Sequence, residues 1–367
     1  MARAANARNH ELTATLYGLV HRDKRPAVTP SCPVCASHLI TQRATMTSDE
    51  AAQHFVLREE LPERHESLRS HIEGLWHGKT CALMSCDACD FGFAWPYVAG
   101  DDCFYNLAYP TVGYPGRKWE FERTLVSLDR TIIRAGKALE IGAGFGYFLG
   151  RISPRLVAPE VILAVEYNEE CQRVLKEKGY HVLATDVRSD EFLQFEAQFD
   201  VIFIFQVLEH MDGLDALMRR LKFLLRPDGR IFIAVPNGRQ IAFSEAHGGL
   251  SDMPPNHIGR WSVRAFQHIA DRIGFAVVET GFEPFGLVSF IKTDVTYRYL
   301  RRAQVAGTIA NRIRSLKRGR TRRLLEYALL AAYTPTRLVA WKDAWDSRHE
   351  LGDSLWVHLR SANDEAA

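Results

Sequence analysis

No apolar run in the 367-residue sequence approaches the roughly 18 to 20 residues that a bilayer-spanning helix needs, which excludes ordinary transmembrane helices. The stretch Leu12 to Val20 is short, is interrupted by Thr13, Thr15 and Gly18, and is followed by no small-residue cleavage site, so it argues against a secretory signal. A cytoplasmic location is the expectation. An excess of one charge is also missing: 46 Lys and Arg stand against 44 Asp and Glu, a formal net charge of +2. That balance gives the whole molecule no general attraction to a polyanion or a membrane. No internal repeat or low-complexity tract stands out, which sets aside solenoids and biased linkers. Cysteine is scarce, seven residues in all, yet four fall into two C-x2-C pairs, Cys32 with Cys35 and Cys86 with Cys89. In a reducing compartment such pairs bind metal or do redox chemistry more often than they form structural disulfides.

What remains is ordinary globular composition, 47% hydrophobic and 25% charged, in a chain long enough for one main domain with appendages. Four regions follow. Residues 1–30 form an irregular leader. Residues 31–115 hold the cysteine pairs, with a charged insert from Ser48 to Lys79 whose Glu, Leu, Arg and Ala predict helix. From about residue 116 to 283 short apolar runs alternate with helices, which predicts a parallel sheet covered on both faces. The strand candidates are Ala138 to Ile141, Val161 to Val165, His181 to Ala184, Val201 to Phe205 and Ile231 to Val235. Between them, Asn168 is placed to cap a helix with an acidic first turn and a basic last one. Leu214, Leu217, Met218, Leu221, Leu224 and Leu225 form one apolar stripe, expected to begin at Asp212 and stop at Pro227-Asp228-Gly229. A helix over Ser262 to Ile273 and a strand over Phe275 to Thr280 come next. Residues 284–352 are a basic helical insertion before a last strand, Ser354 to Leu359, so that the core resumes over 353–362.

The densest motif is Leu139-Glu140-Ile141-Gly142-Ala143-Gly144-Phe145-Gly146, a strand running into a glycine-rich turn and then a helix. Glycines let the backbone turn tightly and let a bulky ligand approach bare main chain. A dinucleotide fingerprint needs G-x-G-x-x-G, but Tyr147 stands where its last glycine belongs, which disfavours a nicotinamide enzyme. Glu166, about twenty residues on, ends the second strand, where a carboxylate can take both hydroxyls of a ribose.

On these residues the segment resembles the class I S-adenosylmethionine-dependent methyltransferases, whose first motif is an acid followed by G-x-G-x-G. Asp186 at the third strand's end, Phe199-Asp200-Val201-Ile202 opening the fourth strand, and Arg226-Pro227-Asp228-Gly229-Arg230 before the fifth match the family's later motifs in order. The resemblance implies an α/β, Rossmann-like seven-stranded methyltransferase sheet of order 3-2-1-4-5-7-6. It also implies a cofactor site for S-adenosyl-L-methionine. That site would use Glu140, Gly142, Ala143, Gly144, Gly146, Tyr147 and Phe148 at the turn, Glu166 and Tyr167 at the second strand, Asp186 and Val187 at the third, and Gln206 and Val207 at the fourth.

Methyl transfer is an in-line displacement, so the enzyme mainly aligns the acceptor and removes its proton where necessary. His210, in the run Gln206-Val207-Leu208-Glu209-His210, and His257 are the candidate bases, because an imidazole titrates near neutrality. The blander reading, that the Glu-His pair only shapes its loop, stands beside this one. Gln206, Glu209, His210 and His257 are also similar in type and order to the metal-binding set of small-RNA 2'-O-methyltransferases, with Gln206 where that set has Glu.

The two cysteine pairs look like zinc-ribbon knuckles, and the arrangement resembles the N-terminal zinc-binding part of many small-molecule and sugar methyltransferases. Cys32, Cys35, Cys86 and Cys89 are the expected ligands of a structural zinc, with Cys81, His38 or His77 as possible substitutes; Cys103 and Cys171 are expected to be buried fillers. From Arg298 to Arg323 ten Lys or Arg occur with no acid. A solvated helical face is the plain reading; contact with a membrane or a lipid-linked substrate is the functional one. The whole predicts methylation of an oxygen or carbon of a small-molecule acceptor. An RNA 2'-O-methyltransferase and a non-catalytic binding protein of the same fold are the rivals. Oligomeric state is not legible.

Overall fold

The computed structural model describes residues 30–109, 113, 115–131, 136–152, 161–246, 252–317, 319–333 and 348–361. The expected leader lies outside these residues except for its last position. The chain divides into two compact units: 1–236 with 253–281 and 354–367, and 237–252 with 282–353.

The first unit holds two sheets. In the N-terminal part, β1 (Ile40–Thr47), β2 (Thr80–Cys86) and β3 (Gly92–Trp95) pair antiparallel in that order. The predicted helical insert lies between β1 and β2 as two helices, Ser48–Phe55 and Pro62–Trp76. Thr47 and Glu50 start the first with a reciprocal capping box. His65, Leu68, Ile72 and Trp76 give the second one buried face at helical spacing.

The larger sheet contains β4 (Ala138–Ile141), β5 (Ile162–Val165), β6 (His181–Leu183), β7 (Phe199–Phe205), β8 (Leu225–Pro236), β10 (Phe275–Phe282) and β11 (Ser354–Ser361), in the order β10-β11-β8-β7-β4-β5-β6. Counted as first to seventh core strands, this is 3-2-1-4-5-7-6 from the opposite edge, the expected order. Strands β4 to β8 run parallel where paired, and β11 lies antiparallel to β8. Every residue of β4 and β5 is buried, as a parallel sheet covered on both faces requires.

The Asn168 cap holds as expected, and Ser262 supplies a second side-chain cap. Asn168 accepts from the Cys171 amide and Ser262 from that of Ala265. The helix Leu214–Leu224, however, is capped by Gly213 at φ 58°, and Asp212 instead engages Arg188 and the Ala99 amide. Leu225 leaves the apolar stripe to begin β8, which forms upstream of the expected Ile231.

Four strands, β1, β2, β3 and one more, have no counterpart in the strands expected from sequence. β9 (Gly259–Arg260), from the loop after β8, pairs antiparallel with β3 and joins the N-terminal sheet to the core. The cysteine module therefore shares one compact unit with the core. In the second unit, residues 237–252 accompany the insertion, beyond its expected start at 284.

Candidate active site

β4 ends in a turn whose three glycines all have positive φ, 74° at Gly142, 52° at Gly144 and 69° at Gly146. Side-chain-bearing residues adopt this region only with strain. A Cβ on Gly142 would also come within 2.3 Å of Val207 Cγ2, and one on Gly146 within 2.6 Å of Leu175 Cδ2. The turn is thus pressed between the loop after β7 and the helix Glu169–Glu177.

The Gly144 amide donates to Glu166 Oε2 at 2.6 Å, and the Asn168 amide donates to Glu166 Oε1 at 2.9 Å. Two backbone donors therefore fix the buried Glu166 carboxylate beside the glycine turn. Glu140 is 3% exposed, and its Oε2 has no hydrogen-bond partner. Burial pushes its carboxyl well above the ordinary carboxylate range; Lys118 opposes the shift and Glu166 adds to it. A buried carboxyl with an orphaned oxygen suits a cationic ligand.

Tyr147 and Tyr167 are exposed, Lys178 Nζ lies 5.8 Å from the Tyr147 ring centre, and Ala143 is buried. Phe148 and Val187 are each 1% exposed, and Phe148 packs against Phe121, Phe203 and Phe205 in the core. Asp186 is committed to Arg188, accepting from its Nε at 2.8 Å, its Nη2 at 2.6 Å and its backbone amide at 2.7 Å. The guanidinium holds this carboxyl below its usual range. Asp186 is thus no unpaired acid awaiting an adenine amine.

After β7 the chain turns at Gln206, φ 57°, whose Nε2 donates to Glu120 Oε1 at 3.2 Å and Ser354 Oγ at 3.1 Å. The Gln206 amide nitrogen is thus committed to Glu120 and Ser354, while Glu209, His210 and His257 bring their ligand atoms within 4.8 Å of one another. Glu209 is buried, and its carbonyl accepts from the Ile258 amide at 2.9 Å. His210 Nδ1 lies 2.7 Å from the Asn256 carbonyl and 3.0 Å from Tyr105 Oη. Because a carbonyl only accepts, Nδ1 carries the proton and Nε2 is the basic nitrogen. That Nε2 lies 3.7 Å from Glu209 Oε1, and the His257 ring centre is 4.6 Å from that of His210, edge to face. Tyr105 was not a sequence candidate, and no local pattern links it to a histidine 105 positions away.

The cysteine pairs form matching turns. The Ala36 amide donates to the Cys32 carbonyl, and the Asp90 amide to that of Cys86, each at 2.9 Å; both donors have φ 60°. The Cys32 and Cys86 amides donate to Ser37 and Phe91 carbonyls, again at 2.9 Å. The four Sγ atoms lie within 4.8 Å of one another, at 3.6 Å for Cys32–Cys89 and 3.5 Å for Cys35–Cys86. Cys81 lies outside this group, as do His38 and His77. Cys171 is buried as expected, whereas Cys103 is exposed.

A family model described as a methyltransferase domain matches residues 120–280. This part of the chain is a class I S-adenosylmethionine-dependent methyltransferase domain. Solved structures similar to this methyltransferase include a SAM-dependent methyltransferase from Archaeoglobus fulgidus (18% identity, 65% of this chain and 94% of that one, TM-score 0.40). Another is from Mesorhizobium loti (12%, 64% and 96%, TM-score 0.39). A third is phosphoethanolamine N-methyltransferase 2 of Haemonchus contortus (16%, 66% and 53%, TM-score 0.37). Comparison with curated proteins gives no match. Among the described residues, no helix of the methyltransferase is long and apolar enough to cross a membrane.

Proposed function

We propose that the protein methylates an oxygen or carbon of a small molecule, with a sugar or other secondary metabolite as the acceptor class. The observation that carries the cofactor assignment is the Glu166 carboxylate held by the Gly144 and Asn168 amides beside a turn of bare backbone. In this reading Glu166 takes the ribose hydroxyls, Gly142, Gly144 and Gly146 admit the adenosyl group, and the orphaned Glu140 oxygen faces its cationic amino-acid end. Bound there, S-adenosylmethionine supplies an electrophilic methyl group. Val207, which packs against Gly142, places the loop carrying His210 beside that turn. His210 accepts the acceptor's proton at Nε2 while Asn256 and Tyr105 hold the ring from the other side. His257 is the second candidate for the same step.

Calorimetry with S-adenosylmethionine tests the cofactor site. Glu166→Ala is expected to weaken binding on the order of 100-fold, because hydrogen bonds to a charged group contribute about 1.5–3 kcal/mol each. Gly144→Arg is expected to abolish it. No binding to the unaltered protein, or equal binding to the variants, overturns the assignment.

In the same reading, Cys32, Cys35, Cys86 and Cys89 hold a structural zinc. Zn–S bonds of about 2.3 Å set tetrahedral S–S separations of about 3.8 Å, close to the 3.5 and 3.6 Å found here. A second reading, favoured by the Glu209–His210–His257 cluster, is a metal-assisted RNA 2'-O-methyltransferase in which a divalent ion polarises a ribose hydroxyl. It requires activity abolished by chelation of a labile divalent ion and steeply salt-dependent RNA binding.

A further inference from the structure

The helix Arg320–Tyr333 in the second unit buries none of its residues. Its inner face is nevertheless partnered. Leu329, Leu330 and Tyr333 pack on the cluster of Tyr299, Ala303 and Ala310. Glu326, the helix's one acid, accepts from Tyr299 Oη at 2.9 Å and pairs with Arg322 at 2.8 Å. The opposite face carries Arg320, Arg323, Leu324, Tyr327, Ala328 and Ala331, all exposed. Leu324 is 69% and Tyr327 67% exposed. The preceding turn adds exposed Leu316 and Lys317, and the helix Ile309–Arg314 adds exposed Ile309 and Arg312. On the outer face of Arg320–Tyr333 large apolar side chains and cations thus alternate, and the segment before it carries more of both.

A purely solvated helix face is polar, and a polyanion site gains nothing from an exposed leucine such as Leu324. Self-association through this face would bury Arg320 and Arg323 with no acid on the same face of either copy to pair them, since Glu326 is the helix's one acid and faces Tyr299 and Arg322. Cations beside exposed apolar side chains instead suit the headgroup layer of an anionic membrane, with Leu324 and Tyr327 at the acyl boundary and the guanidinium groups among the phosphates. We propose that this face of Arg320–Tyr333, with Arg312, Leu316 and Lys317, docks the enzyme in the plane of an anionic lipid surface. The inference stands on the second unit alone and is independent of the acceptor.

Co-sedimentation of the full-length protein with vesicles tests it. Binding is expected to vesicles of phosphatidylcholine mixed with phosphatidylglycerol and not to phosphatidylcholine alone. Replacing both Arg320 and Arg323 by Gln is expected to lower partitioning on the order of 25-fold, about fivefold for each cation removed. Leu324→Ser is expected to lower it about tenfold. Because both faces of the test lie on exposed side chains, circular dichroism and S-adenosylmethionine affinity are expected to stay unchanged in these variants. Equal binding to both vesicle types, or none to either, overturns the proposal. So does loss of binding in the arginine variant with none in Leu324→Ser, which marks a bare polyanion site. Self-association without lipid that Leu324→Ser abolishes assigns the face to a second copy and overturns it as well.

Discussion

Two buried titratable side chains govern how the core responds to pH and ligand. His358 on β11 is 2% exposed and stacks on Phe232 at 4.5 Å. Burial, aided by Arg230, Arg123 and Arg360, pushes its pKa down to about 4. The folded chain therefore keeps this ring neutral while the unfolded chain takes up a proton below about pH 6.5. Stability present above that pH is lost as pH falls towards 4, by about 3 kcal/mol in all. Urea unfolding at several pH values measures the loss, and His358→Phe is expected to flatten it; an unchanged profile refutes the assignment. Glu140→Gln probes the second group. A neutral amide is expected to leave unfolding without ligand unaffected or slightly harder, yet to weaken S-adenosylmethionine binding at least about tenfold, the loss of one charge-assisted contact. Thermal unfolding and calorimetry read the two effects separately. The positions of Glu140, Glu166 and His210 at or after strand ends could be read from sequence because each sits at a fixed offset from its strand. Tyr105 and the Asn256 carbonyl could not be, since they reach His210 only through folding, and Arg188's hold on Asp186 likewise has no strand-level signal.

At the scale of elements, the proposed chemistry rests on the loop after β7 and on the cysteine turns. His210→Ala is expected to lower kcat about 10²- to 10⁴-fold, the range for loss of a general base, with S-adenosylmethionine affinity unchanged. Tyr105→Phe is expected to cost less, because Tyr105 orients the ring from Nδ1 and the Asn256 carbonyl remains. Single-turnover rates with an identified acceptor decide between His210 and His257. For the cysteine turns, Cys86→Ser is expected to lower the zinc content measured by atomic emission and to destabilise the sheet of β1, β2 and β3. Metal content equal to that of the unaltered protein refutes the ligand set. Local sequence placed the elements well: β4 spans Ala138–Ile141 as expected, and Asn168 caps its helix. The failures have local causes. Asp212 lost its capping role to Gly213 because Arg188 claimed its carboxylate, and Leu225 left the apolar stripe to begin β8.

Across the whole molecule, the cysteine module is bound into the methyltransferase core by more than β9. Arg264 bonds Asp90 and the Ala88 carbonyl, Ser262 Oγ donates to the Cys89 carbonyl, and Tyr97 Oη donates to the Met211 carbonyl beside His210. Removing the proposed zinc with a chelator is therefore expected to lower the Tm of the core together with the module in one transition. Calorimetric scans showing an early module transition and an unmoved core transition would contradict that coupling. Sequence by itself determined the periodic elements, the glycine turn with its strand-end acids and the two C-x2-C knuckles, because hydrophobic period, φ preference and ligand spacing act over a few neighbouring residues. Tertiary structure alone decided that Gly259–Arg260 would complete the N-terminal sheet, that residues 237–252 would join the insertion, and which partner would claim Gln206, Asp186 and His210. Those outcomes turn on contacts between residues far apart in the chain, whose free energy exists only once the fold has brought them together.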